Sequence, residues 1–274
     1  MKLVLFEHSG SAATYGAVRG DTVVPLNVDS IADSPQEQLE RLIEAADALR
    51  PRNETGVPLA KVRLLPPVPW PGKIVVTTAT YGASAPAQQL LATLKSAESV
   101  IGPEETVQLP EVTETWQFVP QAMLGLIMRG PAKDIPRTDW RQAVFGYTCV
   151  IDVMARGDQQ FGRDFWLAKA DTLGPLGPYI VTIDEVADPS QLRVRSWQNE
   201  TAAQDFRIGD ASHSIGEQVE FVTTVMTLHS GDILACGTSP QGQRPLADGD
   251  RIEVEIDGVG RLGVAVSQKV EVRA

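Results

Sequence analysis

Polar and apolar residues alternate along much of the chain, and this period of two predicts β-strands. Three continuous apolar stretches, residues 73–78, 124–128 and 144–153, predict buried strands. The alternating strands are predicted over residues 2–7, 14–18, 22–26, 179–182, 192–198, 232–236, 251–256 and 260–266. The chain is therefore rich in strands, above all in its last third.

The helical period of 3.6 occurs in few places. Ser34-Pro35-Gln36-Glu37 has the order of a helix start, with a serine cap, a proline in the first turn and a glutamate three residues after the cap. This helix is predicted to run to about residue 50. Further helices are predicted over residues 86–96, 138–144 and 215–226.

Proline and glycine mark the connections between these elements. Gly174, Pro175, Gly177 and Pro178 predict a rigid double turn, and the proline-rich residues 65–72 predict an extended connector. We expect the connector to separate two units. These are a small N-terminal lobe, residues 1–68, and a main domain, residues 69–274. Many strands, few helices and proline-rich connections together predict an α+β fold built on mixed β-sheets.

Charge and cysteine usage narrow the class of protein. The 274 residues carry 24 basic and 35 acidic side chains, a net charge of −11, which argues against nucleic acid or an anionic membrane as a partner. No apolar run reaches membrane-spanning length and the first residues do not form a signal peptide, so we expect a cytoplasmic protein. Cys149 and Cys236 are expected to be buried free thiols.

One acidic residue stands inside the apolar run of residues 144–153. Asp152 is followed by Arg156 and Lys169, and a carboxylate in an apolar strand needs a cation or hydrogen bonds to hold it. These three side chains would form a site for an anionic or enolic ligand if they converge. The alternative is a structural ion pair at the end of a strand.

A set of short motifs in a fixed order resembles the fumarylacetoacetate hydrolase superfamily over nearly the whole chain. The motifs are Lys73-Ile-Val, Ile101-Gly-Pro, Leu109-Pro110, Phe145-Gly-Tyr-Thr, Asp152-Val-Met-Ala-Arg156, Pro175-Leu-Gly-Pro178, Thr227-Leu-His-Ser-Gly-Asp232, Gly237-Thr238, Gly249-Asp250 and Glu253-Val-Glu-Ile-Asp-Gly-Val-Gly-Arg-Leu262.

The resemblance implies a core of mixed β-sheets in a β-roll, with a small N-terminal lobe, in a protein that usually forms a homodimer. Members of the family cleave, decarboxylate or tautomerise 1,3-dicarbonyl or 2-oxo acids with a magnesium or calcium ion. The family's three metal-binding carboxylates correspond here to Gln121, Met123 and Asp152. Two of the three acids are thus missing, and a thioether is a poor ligand for a hard ion. We therefore expect no bound metal, with magnesium on Asp152 as the alternative. Without a metal, Lys169 is expected to pair directly with Asp152 and to take over part of the metal's electrostatic role.

The resemblance also implies that the water-activating base is missing. Ser84 occupies the place of the family's histidine, three residues after the retained Tyr81, and serine is no base near neutral pH. His213 stands where the family usually has an aromatic residue in a loop near the pocket. It is either a replacement base or a solvated loop histidine.

The remaining differences from the family make the implied pocket less polar, because Ile151 and Met154 replace polar residues. The substrate-binding residues implied by the resemblance include an anion-binding set. The complete group of candidate substrate contacts is Tyr81, Gln121, Met123, Met154, Gln204, His213, Gly237 and Thr238, beside the candidate catalytic residues Asp152, Arg156 and Lys169.

Three functions fit these residues. The first is a metal-independent lyase, isomerase or cyclase that acts on an enolisable carbonyl or oxo-acid substrate in specialised metabolism, with apolar side chains accommodating a bulky ligand. The second is a conventional magnesium-dependent hydrolase, decarboxylase or tautomerase of the family. The third is a relative that binds a small molecule without catalysis.

Overall fold

The computed structural model describes residues 1–26, 34–52, 55–78, 80–82, 89–111, 116–157 and 167–268, and within them the chain forms seventeen strands and two α-helices. The strands are β1 (Lys2–Glu7), β2 (Thr14–Arg19), β3 (Thr22–Pro25), β4 (Val57–Pro58), β5 (Arg63–Leu65), β6 (Ile74–Thr78), β7 (Leu91–Lys95), β8 (Val100–Ile101), β9 (Thr106–Leu109), β10 (Gln117–Met128), β11 (Val144–Arg156), β12 (Gly174–Thr182), β13 (Arg193–Gln198), β14 (Thr201–Arg207), β15 (Ile233–Ala235), β16 (Arg251–Ile256) and β17 (Gly260–Gln268).

Twelve of the described strands form one curled sheet. Its order is β4-β3-β2-β1-β12-β11-β10-β15-β6-β7, while β5 pairs with β1 and β8 pairs with β12. The parallel pairs β15–β6 and β12–β8 make this sheet mixed. Only the 3₁₀ turn Ala97–Ser99 separates β7 from β8. Because β8 pairs with β12, the edge at β7 bends back toward β11 and β12.

A smaller sheet covers one face of the large one. Its five strands follow the order β14-β13-β16-β17-β9, with β17 and β9 parallel. Between the two sheets lies an apolar core that includes Leu124, Ile151 and Val254. A second apolar core on the opposite face includes Met123, Val150 and residues of the N-terminal strands. The predicted α+β fold of mixed sheets is confirmed.

Two α-helices occur in the described residues, α1 (Pro35–Glu44) and α2 (Ile215–Val225). Both begin with a capping box, made by Ser34 with Glu37 and by Ser214 with Glu217, which satisfies backbone N–H groups that a helix start leaves open. The helix predicted to reach residue 50 ends at Glu44 and continues only as the 3₁₀ turn Ala46–Ala48. Neither helix has the length and apolarity that a bilayer crossing requires.

The prediction of a helix over residues 86–96 is wrong for residues 89–96, the part of this range that the structure describes. Leu91–Lys95 instead forms β7, paired in antiparallel register with β6 from Ile74↔Lys95 to Thr78↔Leu91. Pairing gives the open backbone groups of β6 their partners, and this tertiary gain outweighs a local helix preference. Strand β7 supplies two polar side chains, Thr93 and Lys95, to the candidate functional site.

The prediction of a double turn at residues 174–178 is also wrong, because these residues form the first half of β12. A Cβ on Gly174 would lie 2.6 Å from Ser99 Oγ. Gly177 pairs with Cys149 at a φ of +133°, a backbone conformation that glycine tolerates best. The glycines therefore permit a close approach between strands. They do not reverse the chain, although the sequence pattern predicts a reversal.

Candidate functional site

Asp152 lies in the middle of β11, directly opposite Gln121 on β10, and 1% of its surface is exposed. Its Oδ1 accepts a hydrogen bond of 2.5 Å from Lys95 Nζ, in an ion pair whose lysine side chain is only 3% exposed. Lys95 Nζ also donates to the carbonyl oxygens of Val153 at 3.1 Å and Ala168 at 2.9 Å. Three N–H donors belong to the ammonium form of lysine, so Lys95 is a fixed, buried cation.

The second oxygen of the Asp152 carboxylate is not satisfied in this way. Asp152 Oδ2 is buried and has no hydrogen-bond partner among the described residues. Leaving a buried charged acceptor unpaired is costly, so this oxygen is expected to accept a hydrogen bond from a water or a ligand. Asp152 is therefore held by one oxygen and has an open acceptor at the other.

Lys169 approaches this pair from the segment after β11. Its Nζ donates to Thr93 Oγ1 on β7 at 2.5 Å, and the side chain is half-buried. The pKa of Lys169 is lowered, first by desolvation and then by the nearby Lys95 cation, while the Asp152 charge partly opposes the shift. The prediction of a direct pair between Lys169 and Asp152 is wrong, because Lys95 donates to Asp152 Oδ1 and Lys169 donates to Thr93 Oγ1 instead.

Lys95 and Thr93 were not predicted as site residues. The signal for them is the alternation within Leu91–Lys95, which places Thr93 and Lys95 on one face of a strand. Once the segment is assigned as a helix, this common face is lost. The alternation marks Lys95 as a candidate buried lysine, and its pairing with Asp152, 57 residues away along the chain, appears only in the fold.

The side chains expected around Asp152 fall into two groups. Gln121 and Met154 are half-buried and share the face of Asp152 across the β10–β11 ladder. Met123 shares that face but is 1% exposed and packs in the second apolar core, which also contains residues of the N-terminal strands. Ile151, expected in the pocket, is fully buried between the two sheets on the opposite face, so that expectation is wrong.

These donors do not fit a magnesium ion. No group of three or more His, Cys, Asp or Glu side chains in the described part of the chain could hold a metal. Asp152 Oδ1 is already bound to an ammonium, Gln121 offers one neutral amide oxygen, and the Met123 sulfur lies in an apolar core. Magnesium requires a near-octahedral set of oxygens, which these three side chains cannot supply.

Gln204 on β14 connects β10 with the loop after β15. Its Oε1 accepts from the backbone N–H of Ala122 at 3.0 Å. Its Nε2 donates to Thr238 Oγ1 at 2.9 Å and to the Ser239 carbonyl oxygen at 2.6 Å. Both amide N–H groups are thus used within the protein. Gln204 positions Thr238, and its direct contact with a substrate stays a prediction.

Arg156 is exposed at the end of β11 and reaches the same loop. It donates to Gln243 Oε1, and Gln243 Nε2 donates to the Ser239 carbonyl oxygen at 3.0 Å. The structure therefore brings Arg156, Gln204 and Thr238 together through one loop. Asp152 and Lys169 belong to the neighbouring group around Lys95.

Gly237 is packed against the segment that carries Tyr81. Gly237 has a φ of +67°, and a Cβ there would lie 1.9 Å from Thr80 Oγ1, so glycine is required. The Tyr81 ring contacts the Phe206 ring edge-on at 5.0 Å between centroids. The hydroxyl groups of Thr80 and Tyr81 are buried and have no partner within the described residues. Burial raises the pKa of Tyr81 above its ordinary value, so the phenol keeps its proton and can donate it in a hydrogen bond.

His213 is half-buried just before α2. The neighbouring backbone N–H of Ser212 donates to the Thr80 carbonyl oxygen at 2.8 Å, which places the loop of His213 beside the segment of Tyr81. The proposed catalytic role of His213 stays a prediction. Ser84, at the place of the family's histidine, lies outside the described residues.

A separate cavity of about 630 Å³ is lined by Arg137, Trp140, Arg141 and neighbouring loop residues. None of the predicted site residues lines it. Its arginines are already engaged, Arg137 by Glu217 and Glu220 and Arg141 by backbone carbonyl groups. Its charges are therefore balanced within the protein, unlike those around Asp152.

Known families and structures match the chain over nearly its whole length. The family model described as fumarylacetoacetate (FAA) hydrolase C-terminal matches residues 76–267, and one described as Rv2993c-like, N-terminal matches residues 1–67. Maleylpyruvate hydrolase from Aquipseudomonas alcaligenes is 30% identical over 279 residues, which cover 92% of this chain and 95% of that protein.

Two solved structures have the same fold. Maleylpyruvate hydrolase from Sphingobium sp. SYK-6, in complex with manganese(II) and pyruvate, is 32% identical with a TM-score of 0.83, and the match covers 98% of this chain and 100% of that one. The 5-carboxymethyl-2-hydroxymuconate delta-isomerase from Mycobacterium smegmatis is 29% identical with a TM-score of 0.81 and the same coverage.

Proposed function

Because this chain belongs to the fumarylacetoacetate hydrolase family, we propose that it is an enzyme acting on an enolisable carbonyl or oxo-acid substrate. The reaction is lyase, isomerase or cyclase chemistry in which the protein's own cations replace a divalent metal. The observation that carries this proposal is the buried Lys95–Asp152 pair, with Lys169 beside it. The similar proteins named for maleylpyruvate and for a hydroxymuconate support the substrate class, since these are oxo acids or their enols.

The charge balance supports enolate chemistry. Two lysines face one carboxylate at this site, so one unit of positive charge is left for a ligand. Removing a proton or a carbon group next to a carbonyl places negative charge on the carbonyl oxygen. A preorganised cation in a partly desolvated site stabilises that charge more than water does. Lys95 cannot move from its three acceptors, so Lys169 is the cation that contacts the substrate.

The neighbouring loop provides the means to orient an acidic substrate. Arg156 is always charged and presents a planar set of donors suited to a carboxylate. Thr238 is held in place by Gln204 at 2.9 Å, and the hydroxyl of Tyr81 offers a donor. These groups bind the end of the substrate that does not react, and they leave the carbonyl carbon near Lys169.

A metal-dependent hydrolase, decarboxylase or tautomerase is the second candidate, and one observation favours it. A similar structure was solved with manganese(II) and pyruvate. The single carboxylate of Asp152, already bound by Lys95, argues against it here.

Proton exchange in D₂O separates these functions. Purified protein treated with a chelator is incubated with pyruvate, other 2-oxo acids and 1,3-dicarbonyl acids, and loss of the α-proton signal is followed by NMR. We expect exchange above the uncatalysed rate with at least one compound, unchanged by the chelator and lost in Lys169→Met. Exchange that requires added magnesium would support the metal-dependent enzyme. Binding without any exchange would support the non-catalytic relative.

A further inference from the structure

We infer that Lys169 acts as a nucleophile that forms an imine with a ketone group of the substrate. This inference rests on the function proposed above and specifies its substrate class as 2-oxo acids or 1,3-dicarbonyl compounds with a free ketone. Two neighbouring lysines, Lys95 and Lys169, differ in how many of their N–H donors are used. Lys95 uses all three N–H donors on Asp152, Val153 and Ala168. Lys169 has one hydrogen-bond partner among the described residues, Thr93.

The two lysines cross between the same two segments. Lys95 extends from β7 to the carbonyl oxygen of Ala168, the residue before Lys169. Lys169 extends in the opposite direction to Thr93, two residues before Lys95 on β7. Each lysine therefore ends close to the base of the other. Lys169 is half-buried, whereas the Lys95 side chain is 3% exposed, so only Lys169 can meet a ligand.

This arrangement increases the share of Lys169 that is present as the neutral amine, which can attack a ketone, and the protonated imine that then forms restores the positive charge that the proposed function assigns to Lys169. Desolvation and the fixed Lys95 cation both lower its pKa, and the Asp152 charge, already paired with Lys95, offsets only part of this. A lysine that is desolvated beside another cation is the usual form of an imine-forming nucleophile. Thr93 Oγ1 accepts one N–H of Lys169 at 2.5 Å, which fixes the direction of the remaining valences on the nitrogen.

The covalent step balances without any further reagent. The lone pair of Lys169 Nζ attacks the ketone carbon, a C–N bond forms, and the carbonyl π electrons move to oxygen, which takes up the proton that the nitrogen releases. A second proton, from solvent, lets that oxygen leave as water, which breaks the C–O bond and leaves a protonated imine. The iminium accepts the electron pair released when an adjacent C–H or C–C bond breaks. Water returns in the reverse steps to release the product and the free amine.

Reductive trapping with pyruvate tests this inference. The full-length protein is equilibrated with pyruvate and treated with sodium borohydride, which adds two hydrogens to an imine and makes the C–N bond permanent. Peptide mass spectrometry then locates the added carboxyethyl group. We expect wild type to carry it at Lys169, at least tenfold above any other lysine. Lys169→Arg should carry none, and Lys133→Arg, changed at an exposed lysine, should label like wild type.

Exchange of the pyruvate methyl protons into D₂O is measured on the same protein preparations. It distinguishes failure of the imine from failure of the proposed enzymatic function. Exchange with no group on Lys169 would overturn the imine and leave the proposed enzyme intact. Neither exchange nor trapping would overturn both. Equal labelling of Lys169 and surface lysines would also overturn the imine. Circular dichroism of Lys169→Arg checks that the loss of trapping occurs in a folded protein.

Discussion

Two buried aspartates, Asp232 and Asp152, each pair with a lysine, and they differ in how far the protein satisfies them. Asp232 Oδ1 accepts the backbone N–H of Lys73 at 2.7 Å. Its Oδ2 accepts the Lys73 ammonium at 3.2 Å and the His229 N–H at 2.7 Å. Asp152 has one ammonium on Oδ1 and no described partner on Oδ2.

We propose that this difference separates a structural aspartate from a functional one. Asp232 joins the starts of β6 and β15 with both oxygens occupied, and its lysine side chain is 31% exposed. Asp152 is bound to a lysine that is 3% exposed and keeps an open acceptor in the interior. Both residues belong to motifs that resemble the family, so the motif alone does not distinguish them. The hydrogen bonds do, because both Asp232 oxygens are satisfied by the protein, whereas Asp152 Oδ2 has no partner among the described residues and can accept a hydrogen bond from a water or a ligand.

The largest expected effect is on stability when Lys95 is removed. Lys95→Met leaves the Asp152 charge buried without a partner, and we expect it to lower the free energy of unfolding by about 3–5 kcal/mol. Lys73→Met is the matched control. It should cost at most about 1 kcal/mol, because two backbone N–H groups still hold Asp232 and the Lys73 side chain is partly exposed.

Urea denaturation of both variants measures the two losses. The double variant Lys95→Met with Asp152→Asn removes the unpaired charge and should recover more than half of the loss. Equal losses in the two single variants would show that Asp152 and Asp232 are held alike, and the comparison would fail.

The second effect is on activity, when Lys169 is removed. Lys169→Met should reduce turnover by about 3 kcal/mol of transition-state stabilisation, the scale of one preorganised donor. Its stability should change by less than about 0.5 kcal/mol, because Lys95 and not Lys169 binds Asp152. Rates of α-proton exchange together with urea denaturation test both parts. A stability loss as large as that of Lys95→Met would contradict the assignment of separate roles to the two lysines.

The sequence alone predicts Asp152 and Lys169 as site residues but pairs them incorrectly. An acidic residue in an apolar strand needs a cation, and the pattern indicates this at Asp152. The identity of that cation depends on the curl of the sheet, which brings β7 across from β11. Such long-range placement has no signal within a short window of sequence.

At Ile151 the strand period predicts the side-chain direction better than motif alignment does, whereas at Met123 neither of them predicts burial. Ile151 and Asp152 are neighbours in β11, so their side chains point to opposite faces, and only one of them can face the site. Met123 shares the face of Asp152, yet it is buried in the core that also contains residues of the N-terminal strands. Alternation could have excluded Ile151 in advance. The burial of Met123 depends on packing between distant segments that alternation does not describe.

A smaller effect should appear in the pH dependence of stability. The folded-state pKa of Lys169 lies below the ordinary lysine value of 10.5, so the ammonium is disfavoured by folding. Between these two pKa values the unfolded state binds more protons, and the stability of wild type therefore rises with pH. The difference in unfolding free energy between wild type and Lys169→Met should shift in favour of wild type as pH increases toward 10.5. A flat or falling difference would contradict the lowered pKa.

The smallest expected effect is the response to magnesium, which tests whether Asp152 resembles Asp232 in being closed to metals. The Asp232 oxygens are occupied by three donors, and Asp152 Oδ1 by Lys95. Isothermal calorimetry of wild type with magnesium should show no binding tighter than about 1 mM, since the ion requires an octahedral oxygen set. Gln121→Glu adds a second carboxylate opposite Asp152. It should still not bind, because the Lys95 ammonium keeps its place and repels a second cation. Micromolar binding by wild type would show that Lys95 yields to the metal, and the metal-dependent function would then replace the one proposed here.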